Sequence, residues 1–152
     1  MTKILMVCLG NICRSPLAEG ILKSKLPSNA YFVDSAGTSG FHSGNAPDPR
    51  SIEVAQKNEL DISQQKSRPF RAYDLEEFDL IFVMDEANYD DIIRHTKTEQ
   101  ERQKVKLILD YPGSQIKEVP DPYYGGEDGF QYIYTLLDGA CSYHSKQLIK
   151  RG

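Results

Sequence analysis

The sequence is notable first for what it does not contain. No apolar run approaches the length of about 20 residues that a membrane-spanning helix requires, and the short apolar stretch at Met1–Val7 has no signal-peptide cleavage region behind it. There is no excess of basic residues: the net charge is −4, whereas binding to a nucleic-acid backbone favours a basic surface. Cysteine is scarce. Three residues, an odd number without a secretory signal, do not make a disulfide framework and point instead to a reducing, cytoplasmic setting. His42, His95 and His144 are scattered without metal-ligand spacing, so no metal site is expected. Tandem repeats, low-complexity tracts and linkers are absent as well. The balance of 39% hydrophobic and 26% charged residues is that of a globular chain, and 152 residues suit one domain, residues 1–152, with a monomer as the simplest state.

The chain opens with Ile4-Leu5-Met6-Val7, a short apolar run of the buried-strand type. Cys8 ends it and a loop follows through Arg14. Ser15 suits an N-cap and Pro16 the first helical position, and Leu17, Ile21, Leu22 and Leu26 form one apolar face before Pro27 stops the helix. A second strand is expected at Tyr31–Val33, closed by Ser35-Ala36-Gly37. A long loop spans Thr38–Pro49, and a helix follows from Pro49 to Glu59 with Ile52 and Ala55 facing inward. Asp79–Met84 reads as a third strand, with Asp85 capping a helix that carries Tyr89, Ile92 and Ile93. The charged run Lys97–Lys106 reads as a solvated face or connection, and Val105–Leu109 as a fourth strand. After a Pro- and Gly-rich loop at Tyr111–Gly129, a long helix presents Phe130, Ile133, Tyr134, Leu137, Ala140, Cys141 and Leu148 on one face, which places Cys141 in the core. Strands alternating with helices predict a parallel sheet covered on both faces.

Ligands of such sheets bind beyond the carboxyl ends of the strands, where Cys8 lies. Cys8 and Arg14 are separated by five residues and followed by Ser15, a spacing that lets backbone N–H groups converge on one anion. Gly10 and Asn11 are residue types that accept positive φ in such a curl. The helix N-terminus adds free N–H groups, and Arg14 can close the ring with paired bonds to phosphate oxygens. The same surroundings favour a thiolate at Cys8, and Ser15 is placed to donate to its sulfur. A Walker loop is excluded because the Gly-Lys-Ser/Thr ending is missing. Asp121, stiffened between Pro120 and Pro122, supplies a carboxyl that can protonate a departing phenolate and then activate water. Tyr123 and Tyr124 beside it can wall an aromatic substrate.

Val7 through Pro16 resembles the phosphate loop of the low-molecular-weight protein tyrosine phosphatases. Asp121-Pro122-Tyr123-Tyr124 resembles their general-acid loop, and Asp34–Thr38 and Val83–Asp85 resemble further segments, over essentially the whole chain. The resemblance implies a three-layer α/β sandwich with a four-stranded parallel sheet, flavodoxin-like, that works without metal or organic cofactor on phosphotyrosine proteins. It implies Cys8 as nucleophile, Arg14 as phosphate binder and Asp121 as acid then base. Leu9, Gly10, Asn11, Ile12, Cys13 and Ser15 would surround the phosphate, with Leu9, Phe41, Tyr123 and Tyr124 at the pocket mouth. Asn11, Ser15 and Ser35 would belong to the supporting hydrogen-bond network. Gln65 stands where many relatives carry a histidine that supports the loop asparagine. The second loop cysteine of the family can form a reversible disulfide with the nucleophile; for Cys13 that role stands beside simple packing behind the loop. Among rivals, a thiol-cascade arsenate reductase needs two further neighbouring cysteines. A protein-arginine phosphatase carries threonine where Ile12 stands, and a catalytically silent phosphopeptide-binding module is expected to lack Cys8 or Asp121.

Overall fold

A computed structural model describes residues 1–122 and 126–151, with the side chains of 126–128 excluded. Four strands form one sheet: β1 (Thr2–Cys8), β2 (Tyr31–Gly37), β3 (Leu80–Val83) and β4 (Val105–Leu107). Their order is β2-β1-β3-β4 and every pairing is parallel. The helices are α1 (Arg14–Lys25), α2 (Pro49–Lys57), α3 (Asp74–Glu77), α4 (Glu86–Ile93), α5 (Glu99–Lys104) and α6 (Gly126–Arg151).

The unbroken apolar run of β1 follows from its central position, because a strand covered on both faces needs apolar side chains at every residue. Ile4, Met6 and Cys8 join the core formed with α1, α2 and α6. Leu5 and Val7 join the opposite core with Leu75, Phe78 and Ile92. The predicted α1 face is buried at Leu17, Ile21, Leu22 and Leu26, and it meets the buried Phe130, Ile133, Leu137, Ala140 and Cys141 of α6. Among the described residues no helix is long and apolar enough to cross a membrane.

Several local expectations are corrected. Helix α1 begins at Arg14 with Cys13 in the cap position and no side-chain cap, so Ser15 and Pro16 both lie inside the first turn. The Ser15 hydroxyl is committed to Cys8 and Asn11 instead of capping. Strand β2 continues through Gly37. There the backbone approaches the first loop closely: a Cβ on Gly37 would lie 2.8 Å from Leu9 O and 2.9 Å from Ser39 O. Helix α2 buries Ser51, Val54 and Ala55, while Ile52 packs at the core margin. Asp85 caps α4 as predicted, accepting from Asn88 N at 2.8 Å in a reciprocal capping box.

The charged run at 97–106 holds a short, exposed helix, α5, and the first residues of β4. Strand β4 ends at Leu107, earlier than Leu109. Ile108 still donates to Val83 O at 3.0 Å, but Asp110 N turns back onto Leu107 O. Helix α6 starts at Gly126, inside the stretch expected to be loop.

Candidate active site

The carboxyl ends of β1, β2 and β3 converge on one side of the sheet, and the loop 9–13 curls between β1 and α1 at that point. Its carbonyls are tied outward. Cys8 O accepts from Thr38 N, Leu9 O from Ser39 N and Ile12 O from Asp48 N, at 2.9, 2.9 and 2.8 Å, and Gly10 O accepts from Ser67 Oγ at 3.0 Å. In a trans peptide the N–H points opposite to the carbonyl, so the N–H groups of Leu9, Gly10, Asn11 and Cys13 turn to the inner side. The Asn11 N–H reaches Cys8 Sγ at 3.2 Å. This is the geometry of an anion cradle.

Asn11 adopts φ 57°, the left-handed conformation expected of it. Gly10 has no positive φ; its small size matters because a Cβ there would lie 3.0 Å from the His42 ring. The Asn11 amide donates to Ser15 Oγ at 2.7 Å, and Ser15 Oγ lies 3.0 Å from Cys8 Sγ. A hydroxyl that accepts from Asn11 retains its own proton for the sulfur.

Arg14 is almost fully buried in the first turn of α1. Its Nη1 donates to Asp85 Oδ2 at 2.7 Å and to Val119 O at 3.0 Å. Burial works against the charged guanidinium, but the neighbouring Cys8 and Asp85 outweigh it and hold the group more firmly protonated than usual. With Nη1 fixed, Nη2 and Nε retain the planar edge suited to two oxygens of a tetrahedral anion. In the sequence Asp85 stands as a helix cap and as the end of the family-like segment Val83–Asp85, with no role at the loop attached to it. Its position just past β3, beside the strand that carries Cys8, is the signal for a second role.

Cys8, Leu9, Gly10, Ile12, Cys13, Arg14, Ser39, Phe41, His42 and Asp121 line a cavity of about 470 Å³. Leu9 and Phe41 stand exposed at its mouth, Phe41 87% so, with the Phe41 ring edge-on to His42 at 5.2 Å. His42, read from the sequence as a scattered histidine, is thus a pocket residue; only the folding of loop 38–48 over Gly10 reveals it. Asp121 lies at the surface of the same cavity. Tyr123 and Tyr124 lie outside the described residues.

Cys13 is a free, buried thiol, pushed up to about 12 by burial and by nearby Asp48. It is therefore neutral near pH 7. Cys141 is buried in α6 with its sulfur 3.8 Å from Ala18 O.

Two supporting assignments are redirected. Gln65 Nε2 donates to Pro16 O at 3.1 Å, so its amide holds the first turn of α1 and does not hold Asn11. Asn11 Oδ1 accepts instead from the backbone N–H of Arg68 at 3.1 Å, because the chain at 67–68 passes directly behind the loop. Ser35 donates to Glu19 Oε1 at 2.6 Å, tying β2 to α1, one layer removed from the loop.

The family described as low molecular weight phosphotyrosine protein phosphatase matches residues 3–152. A low molecular weight phosphotyrosine protein phosphatase of Schizosaccharomyces pombe is 43% identical over 146 residues, covering 90% of this chain and 92% of the relative. A protein tyrosine phosphatase from Entamoeba histolytica, solved with Hepes in the active site, superposes with a TM-score of 0.92 at 38% identity. That match covers 99% of this chain and 98% of the other. Vibrio vulnificus Wzb in complex with benzylphosphonate superposes with a TM-score of 0.86 at 32% identity, over 96% and 98% of the two chains.

Proposed function

The chain belongs to the low molecular weight phosphotyrosine protein phosphatase family and is a protein tyrosine phosphatase, and we propose that it works through Cys8, Arg14 and Asp121. The observation that carries this assignment is the convergence of the three on one cavity, with Cys8 Sγ receiving Asn11 N–H at 3.2 Å and standing 3.0 Å from Ser15 Oγ.

In this reading the loop N–H groups and the Arg14 fork bind the three non-bridging oxygens of the phosphoryl group, stabilising charge where the transition state spreads it. The Cys8 thiolate attacks phosphorus in line. The S–P bond forms as the P–O bond to tyrosine breaks, and the Asp121 carboxyl gives its proton to the departing phenolate. Asp121, now a carboxylate, takes a proton from water. The water oxygen attacks phosphorus, the S–P bond breaks, and phosphate leaves with Cys8 restored as thiolate. The Ser15 hydroxyl favours that departure by donating to the sulfur. Leu9 and Phe41 give the mouth an apolar rim suited to an aryl group, and benzylphosphonate in the Vibrio relative is a ligand of matching chemistry. The chemistry requires no metal or organic cofactor.

A nucleophile that must stay reduced suits the cytoplasm, a placement checked by fractionating the source cell and labelling Cys8 as a free thiol. Cys141, buried in α6 with its sulfur against Ala18 O, is a core residue and lends no support to a thiol cascade.

The test is steady-state hydrolysis of phosphotyrosine, phosphoserine and phosphoarginine peptides by wild type, Cys8→Ser and Asp121→Asn, without added metal. Phosphotyrosine turnover is expected to vanish in Cys8→Ser and to fall about 10²–10⁴-fold in Asp121→Asn. Preference for phosphoarginine overturns the substrate assignment, and activity that survives Cys8→Ser overturns the nucleophile.

A further inference from the structure

Residues 67–70 contribute nothing to the chemical steps above, yet they close the outer side of the loop. Ser67 Oγ donates to Gly10 O at 3.0 Å, Arg68 N to Asn11 Oδ1 at 3.1 Å, and Arg68 O accepts from Gly37 N at 2.9 Å. The Arg68 side chain is bound elsewhere. Its Nε and Nη2 donate to Asp34 Oδ2 at 3.2 and 3.1 Å. Its Nη1 donates to Asp74 Oδ2 at 3.0 Å and its Nη2 to Asp74 Oδ1 at 3.2 Å. Asp34 belongs to β2, and the buried Asp74 opens α3. One guanidinium therefore fixes the backbone of residue 68 against two elements.

A side-chain amide has an acceptor end and a donor end. With Oδ1 taken by Arg68 N–H, Nδ2 of Asn11 must face Ser15 Oγ. Ser15 then accepts from Asn11, and its proton is left for Cys8 Sγ. A turned amide would instead accept from Ser15 and withdraw that proton from the sulfur. The direction of every donor between residue 68 and Cys8 is thus set at the outer end.

We propose that Arg68 is a positioning residue for hydrolysis: clamped by Asp34 and Asp74, it holds its backbone N–H on Asn11 and so aims the Ser15 hydroxyl at Cys8. The proposal rests on Cys8 being the nucleophile. Lysine replaces this clamp poorly, since an ammonium lacks the planar fork that engages two carboxylates at once.

The experiment follows the pH midpoint of Cys8 alkylation by iodoacetamide, located by peptide mass spectrometry and checked for protection by inorganic phosphate. The other titratable or charged groups near Cys8 are Arg14 from α1, Cys13 in the loop, Asp121 and His42 in the cavity, and Asp85 behind Arg14. All are retained in wild type, Arg68→Met, Arg68→Lys and Asp34→Asn. A donor aimed at the sulfur favours the thiolate, so misaiming it is expected to raise the midpoint in Arg68→Met by about 0.5–1 pH unit. The corresponding fall in kcat is about 3–10-fold, with KM changed less than kcat. Arg68→Lys is expected between wild type and Arg68→Met, and Asp34→Asn shifts less in the same direction. Folded variants with the wild-type midpoint, even at lowered Tm, overturn the proposal and leave Arg68 a structural residue. Should Arg68→Met fail to fold, Asp34→Asn, which keeps both Asp74 bonds, decides alone. A wild type without phosphate-protected alkylation at Cys8 overturns the nucleophile assignment itself, whereas a normal wild type with unmoved variants overturns only the role of Arg68.

Discussion

Asp85 serves two elements at once: Oδ1 accepts from Asn88 N at the start of α4, and Oδ2 accepts from Arg14 at 2.7 Å. The two roles are separable by Asp85→Asn, because asparagine caps a helix about as well as aspartate but carries no charge for Arg14. The variant is expected to retain its Tm and to lose about 10–100-fold in kcat/KM on an aryl phosphate, the range for losing one charged hydrogen bond. An unchanged kcat/KM sinks the anchoring role. Cys13 lines the same cavity as Cys8, and burial raises the pKa of its thiol, which slows its attack on an oxidised Cys8. Mild peroxide followed by peptide mass spectrometry distinguishes a Cys8–Cys13 disulfide from simple packing behind the loop.

At the scale of elements, the seam between α1 and β2 contains a buried carboxyl. Glu19 is 4% exposed, accepts from Ser35 Oγ on one oxygen and from Lys23 Nζ on the other, both at 2.6 Å. Burial raises its pKa, and the bonds from Lys23 and Ser35 offset only part of the rise. The folded state therefore binds this proton more tightly than the unfolded chain. Stability from this group is complete below the unfolded value of about 4.3 and is lost as pH rises through the folded value. Glu19→Gln keeps an acceptor for Ser35 and removes the titration. Its stability relative to wild type is expected to increase from pH 4 to pH 7, read from urea midpoints. A difference that stays constant with pH contradicts this assignment. The same seam carries α1 toward the loop, so its integrity bears on where Arg14 and Ser15 stand.

For the molecule as a whole, the sheet is covered on both faces, and among the described residues the exposed large apolar side chains outside the cavity mouth are Met1, Phe32, Tyr73, Tyr132 and Ile149, of which only Tyr132 and Ile149 share an element, well apart along α6. Apolar residues scattered in this way are normal for a surface. Sedimentation equilibrium at micromolar concentration is accordingly expected to return a single species of 17.2 kDa, and a dimer mass overturns the monomer assignment. The parallel architecture was legible because period and punctuation carry it: Ile4–Val7 is apolar throughout, and α1 and α6 repeat apolar residues at helical spacing. The loop was legible because Cys8, Gly10, Asn11, Arg14 and Ser15 lie within eight residues, close enough for local geometry to unite them. The short helices α3 and α5 were not, since four and six mostly polar residues leave no periodic signal. Sequence alone determined the fold class, the family and the residues of the loop, because these depend on spacing along the chain. Tertiary structure alone decided that Asp85, His42 and Arg68 belong around that loop and that Gln65 turns to Pro16. These contacts join residues 32 to 71 positions apart, and only the packed sheet and its connecting segments bring them together.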